Sequence, residues 1–200
     1  MDIEFHRLPG AYCSEAVRDD GVTVLVPGFD RKHVVPHDLA HFAAEHGFGV
    51  ARGFWGSVAA GAMFAGMRVV SGRRPPHPAE RSRRIIRANA DEIGIAEGLA
   101  ATVYQAYADG DSPTVAARRL AAYWSVTHTG PCPYGVPGME KACALLGDLA
   151  GRWAGVPAGG TLRLAWDLPV ERPAPERRSR RGPATIRSRP QRGSGAGRHG

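Results

Sequence analysis

Residues 1–27 read MDIEFHRLPGAYCSEAVRDDGVTVLVP, three short segments separated by a Pro-Gly turn at 9–10 and an Asp-Asp-Gly turn at 19–21. Apolar and polar residues alternate in the first segment, and the third is an apolar, largely β-branched run. A period of two and β-branched runs favour strands, and an Asp-Gly pair between two such runs is a strong hairpin signal. The sequence therefore predicts three antiparallel strands, over residues 1–8, 11–18 and 22–27.

A short helix is expected directly after these strands. Pro36 stands where a first helical residue tolerates proline, and Gly47 stands where helices commonly end. Between them, HDLAHFAAEH is long enough for about three helical turns. Further elements are predicted as helices over residues 54–67, 78–109, 113–126 and 139–153 and as a strand over residues 161–168. The predicted fold class is α+β, a small antiparallel sheet of three to four strands packed against about five helices.

The C-terminal segment differs in composition from the rest of the chain. Residues 171–200 hold nine of the 26 Lys and Arg residues but two of the 19 Asp and Glu residues, so they account for the whole net charge of +7. With almost no apolar side chains, such a segment cannot offset the entropy lost on ordering. We therefore predict one globular domain over residues 1–169 and a disordered Arg/Pro/Gly-rich tail over residues 170–200. The expected contact of this tail with nucleic acid is weak and non-specific.

A second basic run, RSRRIIR at residues 81–87, lies within a predicted helix. Arginines on a helix can contact phosphates, but they also commonly form a solvated face. Residues 1–170 carry as many acidic as basic side chains. The sequence therefore favours the solvated face.

The sequence carries no signal for export or membrane insertion. Its first residues lack a basic region followed by an apolar run, and the longest apolar stretch, residues 58–67, is too short to cross a bilayer. The three cysteines are an odd number at wide spacing and form no CxxC pair, which argues against a disulfide framework. We therefore expect a cytoplasmic protein that does not engage a membrane.

The best functional lead is the predicted helix that carries His37, Asp38, His41 and Glu45. Histidines four residues apart lie on one helix face, where both imidazoles can bind one tetrahedral zinc ion. In the HExxH metalloproteases, the acidic residue after the first histidine acts as a general base on metal-bound water. Asp38 occupies that position, although it is one methylene shorter than glutamate. Glu45, one turn beyond His41, is interpreted as a third ligand or as a partner of a ligand.

The same helix also has a non-catalytic interpretation. Asp38 near the helix start interacts favourably with the helix dipole, and the two histidines can donate hydrogen bonds to backbone carbonyls. No distal ligand motif is recognisable elsewhere in the chain. The sequence therefore favours a non-catalytic binding or accessory protein. The alternative is a zinc-dependent hydrolase with His37, His41 and Glu45 as metal ligands and Asp38 as base.

The run VPHDLAHFAAEHGFGVARGFWGSVAAGAMF, residues 35–64, resembles a family of uncharacterised bacterial proteins. The shared features are a Pro-His-Asp-Leu-x-His-Phe helix and a Gly-Phe-Trp-Gly turn that follows it. The resemblance covers about 30 residues well and the flanking strands loosely, and it does not include the tail. It implies a common domain and no particular activity.

Overall fold

The computed structural model describes residues 1–28 and 34–170. Apart from Val170, the predicted tail lies outside the described residues. The described strands form one antiparallel sheet of five, in the order β4-β3-β2-β1-β5. Their bounds are β1 Asp2–Leu8, β2 Ala11–Val17, β3 Thr23–Pro27, β4 Arg68–Ser71 and β5 Thr161–Ala165.

The first three strands agree with the prediction, because their sequence signals are local. β1 and β2 pair along their whole length, and Leu8 lies opposite Ala11 across a tight turn. Gly10 in that turn has a φ of 66°, a left-handed conformation that glycine adopts without strain. The alternation of side chains places Ile3 and Phe5 on one face of the sheet, where both are fully buried.

Six helices are present in the part of the chain that the structure describes. They are α1 His37–Phe48, α2 Phe54–Ala60, α3 Pro78–Ala88, α4 Ala90–Asp109, α5 Pro113–Thr127 and α6 Val136–Ala154. The helix α1 is buried over residues 38–45 and packs against both α4 and α6, and its apolar residues join those of the sheet in one hydrophobic core. Leu39 of α1 is fully buried there. None of the described helices is both long and apolar enough to span a membrane.

The fold class is α+β as predicted, but the element count is higher than expected. The sheet has five strands because the short segment Arg68–Ser71 pairs with β3. The helix predicted over residues 54–67 ends instead at Gly61, which has a φ of 116°. The long helical stretch predicted over residues 78–109 is two helices, which meet at Asn89. The buried side chain of Asn89, at this junction, donates a hydrogen bond to Ser57 Oγ of α2 at 3.0 Å.

Candidate metal centre

The polar face of α1 carries two histidines in contact. The helix begins at His37, directly after Pro36, and the i, i+4 spacing places His37 and His41 on one face as predicted. Their ring centroids lie 4.8 Å apart. His37 is half-buried, whereas His41 is 2% exposed. The pair therefore spans the boundary between the core and the surface.

A third ligand-type side chain reaches this pair from another helix. Glu97 of α4 places its Oε2 atom 3.3 Å from Nε2 of His41. One ligand atom from each of His37, His41 and Glu97 lies within 4.8 Å of the others. Two ligands of a tetrahedral zinc ion lie about 3.4 Å apart, since each bond is roughly 2.0–2.1 Å long. Glu97 is 56% exposed, so the group opens to solvent on its side.

Glu45 lies on the opposite side of the His41 ring. Its Oε1 atom is 3.4 Å from Nδ1 of His41, and the carboxylate has no exposed surface. It also accepts hydrogen bonds from the backbone N–H groups of Trp55, at 3.1 Å, and Gly56, at 3.4 Å. These N–H groups are in the first turn of α2, where a negative charge is favoured by unpaired donors and by the helix dipole. Glu45 thus joins the start of α2 to the histidine.

The charges of this cluster are strongly coupled. Burial opposes the charged form of His41, but Glu45 and Glu97 outweigh it and raise the pKa of the imidazole to about 9. Burial also raises the pKa of Glu45, an effect that His41 and the backbone donors partly offset. The hydrogen bond with His41 lowers the pKa of Glu97. The raised pKa of His41 keeps its imidazole protonated at neutral pH in the metal-free protein, so a metal ion must displace this proton.

Asp38 faces the sheet. Ser14 of β2 donates its hydroxyl to Asp38 Oδ2 at 3.1 Å, and the carbonyl oxygen of Asp38 accepts a hydrogen bond from Trp55 Nε1 at 2.9 Å. Burial raises the pKa of Asp38 to about 6, although the His41 charge and the Ser14 hydroxyl oppose the rise. Asp38 is near enough to His41 to respond to its charge, but it is not part of the group with His37, His41 and Glu97.

The Gly-Phe-Trp-Gly motif at residues 53–56, which forms the start of α2, has a physical role in this arrangement. A Cβ atom at Gly53 would lie 2.6 Å from the carboxylate carbon of Glu45, and one at Gly56 would lie 1.8 Å from the carbonyl oxygen of Ala51. Only glycine therefore lets the backbone approach Glu45 this closely. Phe54 places its ring 5.2 Å from that of His41 and so covers the imidazole. The helix and turn motifs form one packed unit.

The structure brings two of the three predicted ligands together and adds one that the sequence did not indicate. His37 and His41 share the group, while Glu45 holds the far nitrogen of His41. Glu97 is an acidic residue on an exposed part of a helix, and nothing in its local sequence distinguishes it from ordinary surface residues. His46, at the other end of α1, instead lies 3.4 Å from Asp167.

Comparison with protein-family models, with curated proteins and with solved structures finds no match to this chain. The resemblance of residues 35–64 to a bacterial family stays a prediction.

Proposed function

We propose that this protein binds one divalent transition-metal ion, zinc in the first instance, through His37, His41 and Glu97, and that it is a metal-dependent hydrolase. The observation that carries the proposal is the convergence of these three side chains from two helices at a solvent-accessible point. Two histidines and one glutamate form a ligand set typical of catalytic zinc sites, which keep a fourth position for water or substrate. Structural zinc sites, in contrast, are usually closed by four protein ligands.

The position of Glu45 supports the same proposal. A histidine that binds a metal through one nitrogen usually donates the N–H of its other nitrogen to a carboxylate or carbonyl, which fixes the tautomer and the ring orientation. Glu45 lies at Nδ1 of His41 while Nε2 faces Glu97. The backbone donors of Trp55 and Gly56 hold this carboxylate in place. His41 is therefore oriented before any ion arrives.

The chemistry follows from the residues around the ion. When bound, a divalent ion at this point would supply Lewis acidity and would lower the pKa of a water molecule bound to it towards neutrality. His37 and His41 would hold the ion, Glu97 would complete the ligand set at the surface, and Glu45 would accept the Nδ1 proton of His41 in a hydrogen bond. Asp38 lies on the sheet side, where it accepts a hydrogen bond from Ser14, and the role of base that the sequence suggests for it stays a prediction.

A second candidate is the non-catalytic binding or accessory protein favoured by the sequence. The observation in its favour is that the charged groups of the cluster already lie next to groups of opposite charge without an ion. His41 has a carboxylate near each ring nitrogen, and Asp38 is hydrogen-bonded to Ser14. In this proposal the cluster joins α1, α2 and α4, and a partner binds elsewhere.

Metal titration separates the two candidates. The full chain is titrated with Zn²⁺ and, separately, with Co²⁺, whose visible absorption reports coordination by nitrogen and oxygen ligands. We expect one equivalent to bind, and Glu97→Gln to weaken binding by about 100-fold or more, beyond the 10–100-fold typical of residues behind the ligands. Asp91→Asn, an exposed carboxylate on the same helix, is the matched control and should bind like the wild type.

Hydrolysis is then tested on the zinc-loaded chain with activated carboxylic and phosphoric esters. We expect turnover that a chelator abolishes and that Glu97→Gln lacks. Saturable zinc binding without turnover of either ester class would refute the hydrolase and favour a binding role. Absence of stoichiometric binding, or equal binding by Glu97→Gln, would refute the metal site itself.

A further inference from the structure

A separate cleft lies between the β3–β4 edge of the sheet and the start of α3. Its volume is about 430 Å³, and the described residues that line it include no Asp or Glu. Its charged lining consists of five arginines, Arg18, Arg68, Arg74, Arg81 and Arg83. Apolar side chains, among them Met63 and Met67, form other parts of the wall. The cleft shares no residue with the group of His37, His41 and Glu97.

Two of these arginines are held in place by the protein. Arg18 is 5% exposed and donates two hydrogen bonds to the carboxylate of Asp20, at 3.1 and 2.7 Å. Arg81 donates to the carbonyl oxygen of Ala60 at 3.5 Å. Gly61 lies between them, since a Cβ atom there would be 3.3 Å from Nε of Arg81 and 3.8 Å from a terminal nitrogen of Arg18. Both guanidinium groups are therefore positioned before a ligand binds.

The charge of the cleft is not balanced locally. Asp20 is the carboxylate that pairs with Arg18, and the arginines of the lining outnumber it five to one. Although burial opposes it, the Arg18 guanidinium lowers the pKa of Asp20, so this carboxylate stays charged. Arg68, Arg74 and Arg83 are exposed at the rim. A concave surface of one charge sign attracts ligands of the opposite sign and concentrates them.

We propose that this cleft binds a small organic phosphate, a phosphate monoester attached to an apolar body. The planar fork of arginine matches the oxygens of a phosphate with paired hydrogen bonds. The methionine side chains offer a flexible apolar surface to the rest of the ligand. The cavity volume falls within the roughly 300–1,000 Å³ of small-molecule sites. A concave site of this size suits a single small ligand better than the backbone of a nucleic acid, which contacts extended basic surfaces.

The proposal is tested with 1-naphthyl phosphate, a phosphate monoester with an apolar ring system, by calorimetric titration of the full chain at constant ionic strength. We expect saturable binding that is tighter than that of inorganic phosphate, with no binding of 1-naphthol. Arg81→Gln and, independently, Arg68→Gln should each weaken binding by about tenfold or more, the loss expected when a charge-assisted hydrogen bond is removed. Arg68 is exposed, so its substitution tests the cleft without disturbing the core.

Arg87→Gln provides the matched control. Arg87 is an exposed arginine at the far end of α3, outside the cleft, and this variant keeps every other charge of the chain, including the basic segment 171–200. We expect it to bind 1-naphthyl phosphate like the wild type. Equal weakening by Arg87→Gln, or the absence of saturable binding, would overturn the proposal. Equally tight binding of 1-naphthoate would overturn the preference for phosphate. Tighter binding of a short oligonucleotide, unchanged in Arg81→Gln, would show that the phosphate affinity comes from the basic surface and not from the cleft.

Discussion

The cluster around His41 and the arginine cleft both concentrate charge, but the charges are paired in the cluster and mostly unpaired in the cleft. Around His41 the buried groups are matched: the imidazole lies between two carboxylates, and Glu45 also accepts two backbone hydrogen bonds. In the cleft the guanidinium groups outnumber carboxylates, and three of the five are exposed. A buried charge destabilises the fold unless it is paired, whereas an exposed charge is compensated by water. Substitutions around His41 should therefore change mainly the free energy of unfolding, and substitutions in the cleft should change mainly ligand affinity.

The largest expected effect is that of Glu45→Ala. This change leaves the backbone donors of Trp55 and Gly56 without their acceptor and leaves His41 with one carboxylate instead of two. Breaking a buried ion pair typically costs about 3–5 kcal/mol of unfolding free energy. Urea melts of the metal-free protein measure it, with Glu97→Ala as the exposed counterpart, which should cost less than about 1 kcal/mol. Similar losses for both variants would show that burial does not separate the two carboxylates.

A pH dependence of stability should come next in size. In the metal-free protein the pKa of His41 is raised to about 9 from 6.5, so its contribution is fully present below pH 6.5 and is lost as the pH rises through 9. We expect a loss on the order of 1–3 kcal/mol across this window. Asp38, with a pKa of about 6, titrates below this pH window. Urea melts from pH 6 to 10 with a chelator present measure the loss, and a His41→Gln variant with an equally steep decline would assign it to other groups.

Gly53→Ala tests whether the close approach of the turn to Glu45 matters for the matched cluster. The new methyl group would meet the Glu45 carboxylate at 2.6–2.7 Å and the Ala96 methyl at 2.8 Å. Such overpacking commonly costs about 1–3 kcal/mol. Gly94→Ala is the control, since a Cβ atom there meets nothing within 4 Å and alanine is favoured in a helix, so it should stabilise by about 0.4–1 kcal/mol. Thermal unfolding of both variants gives the comparison, and a destabilising Gly94→Ala would invalidate it.

The smallest effect is expected in the cleft. Arg68→Gln and Arg83→Gln each remove one exposed guanidinium from a region of like charge, so the unfolding free energy should change by about 0.5 kcal/mol or less. Urea melts of the two variants check this expectation. A loss above about 1.5 kcal/mol would mean that these arginines support the fold, and the contrast between the two regions would fail.

The sequence predicts correctly those features that depend on residues close together in the chain, and it misses those that depend on distant residues. The first three strands and the spacing of His37 and His41 depend on neighbours in the sequence, and both were predicted. The break at Asn89 coincides with a contact to Ser57, 32 residues away, and the helical pattern of the sequence runs through it. Glu97 is identified only by the packing of α4 against α1. These features need tertiary structure, which periodicity and turn signals do not contain.

Glu45 shows a different limit of prediction from sequence. The helical spacing predicts that Glu45 lies near His41 on the helix, and the two side chains are indeed close. The sequence does not show which ring nitrogen of His41 faces Glu45. It also does not show that the backbone of Trp55 and Gly56 donates to Glu45, because that contact depends on how residues 53–56 pack. Helical spacing places a residue on a face but does not tell a ligand from the residue that orients it.

The pairing of the last strand with the first has a consequence for folding during synthesis. β1 lies between β2 and β5, with Ile3 opposite both Ala16 and Leu164. The contact with β2 can form early, but at about 5–20 residues per second the ribosome takes roughly 7–30 s more to deliver β5. Throughout that interval one edge of β1 is an open template for other chains. Asp2 and Glu4 alternate with Ile3 and Phe5 along β1, and charged side chains disfavour pairing with other chains. Once β5 has docked, Glu4 pairs with Arg163 of that strand.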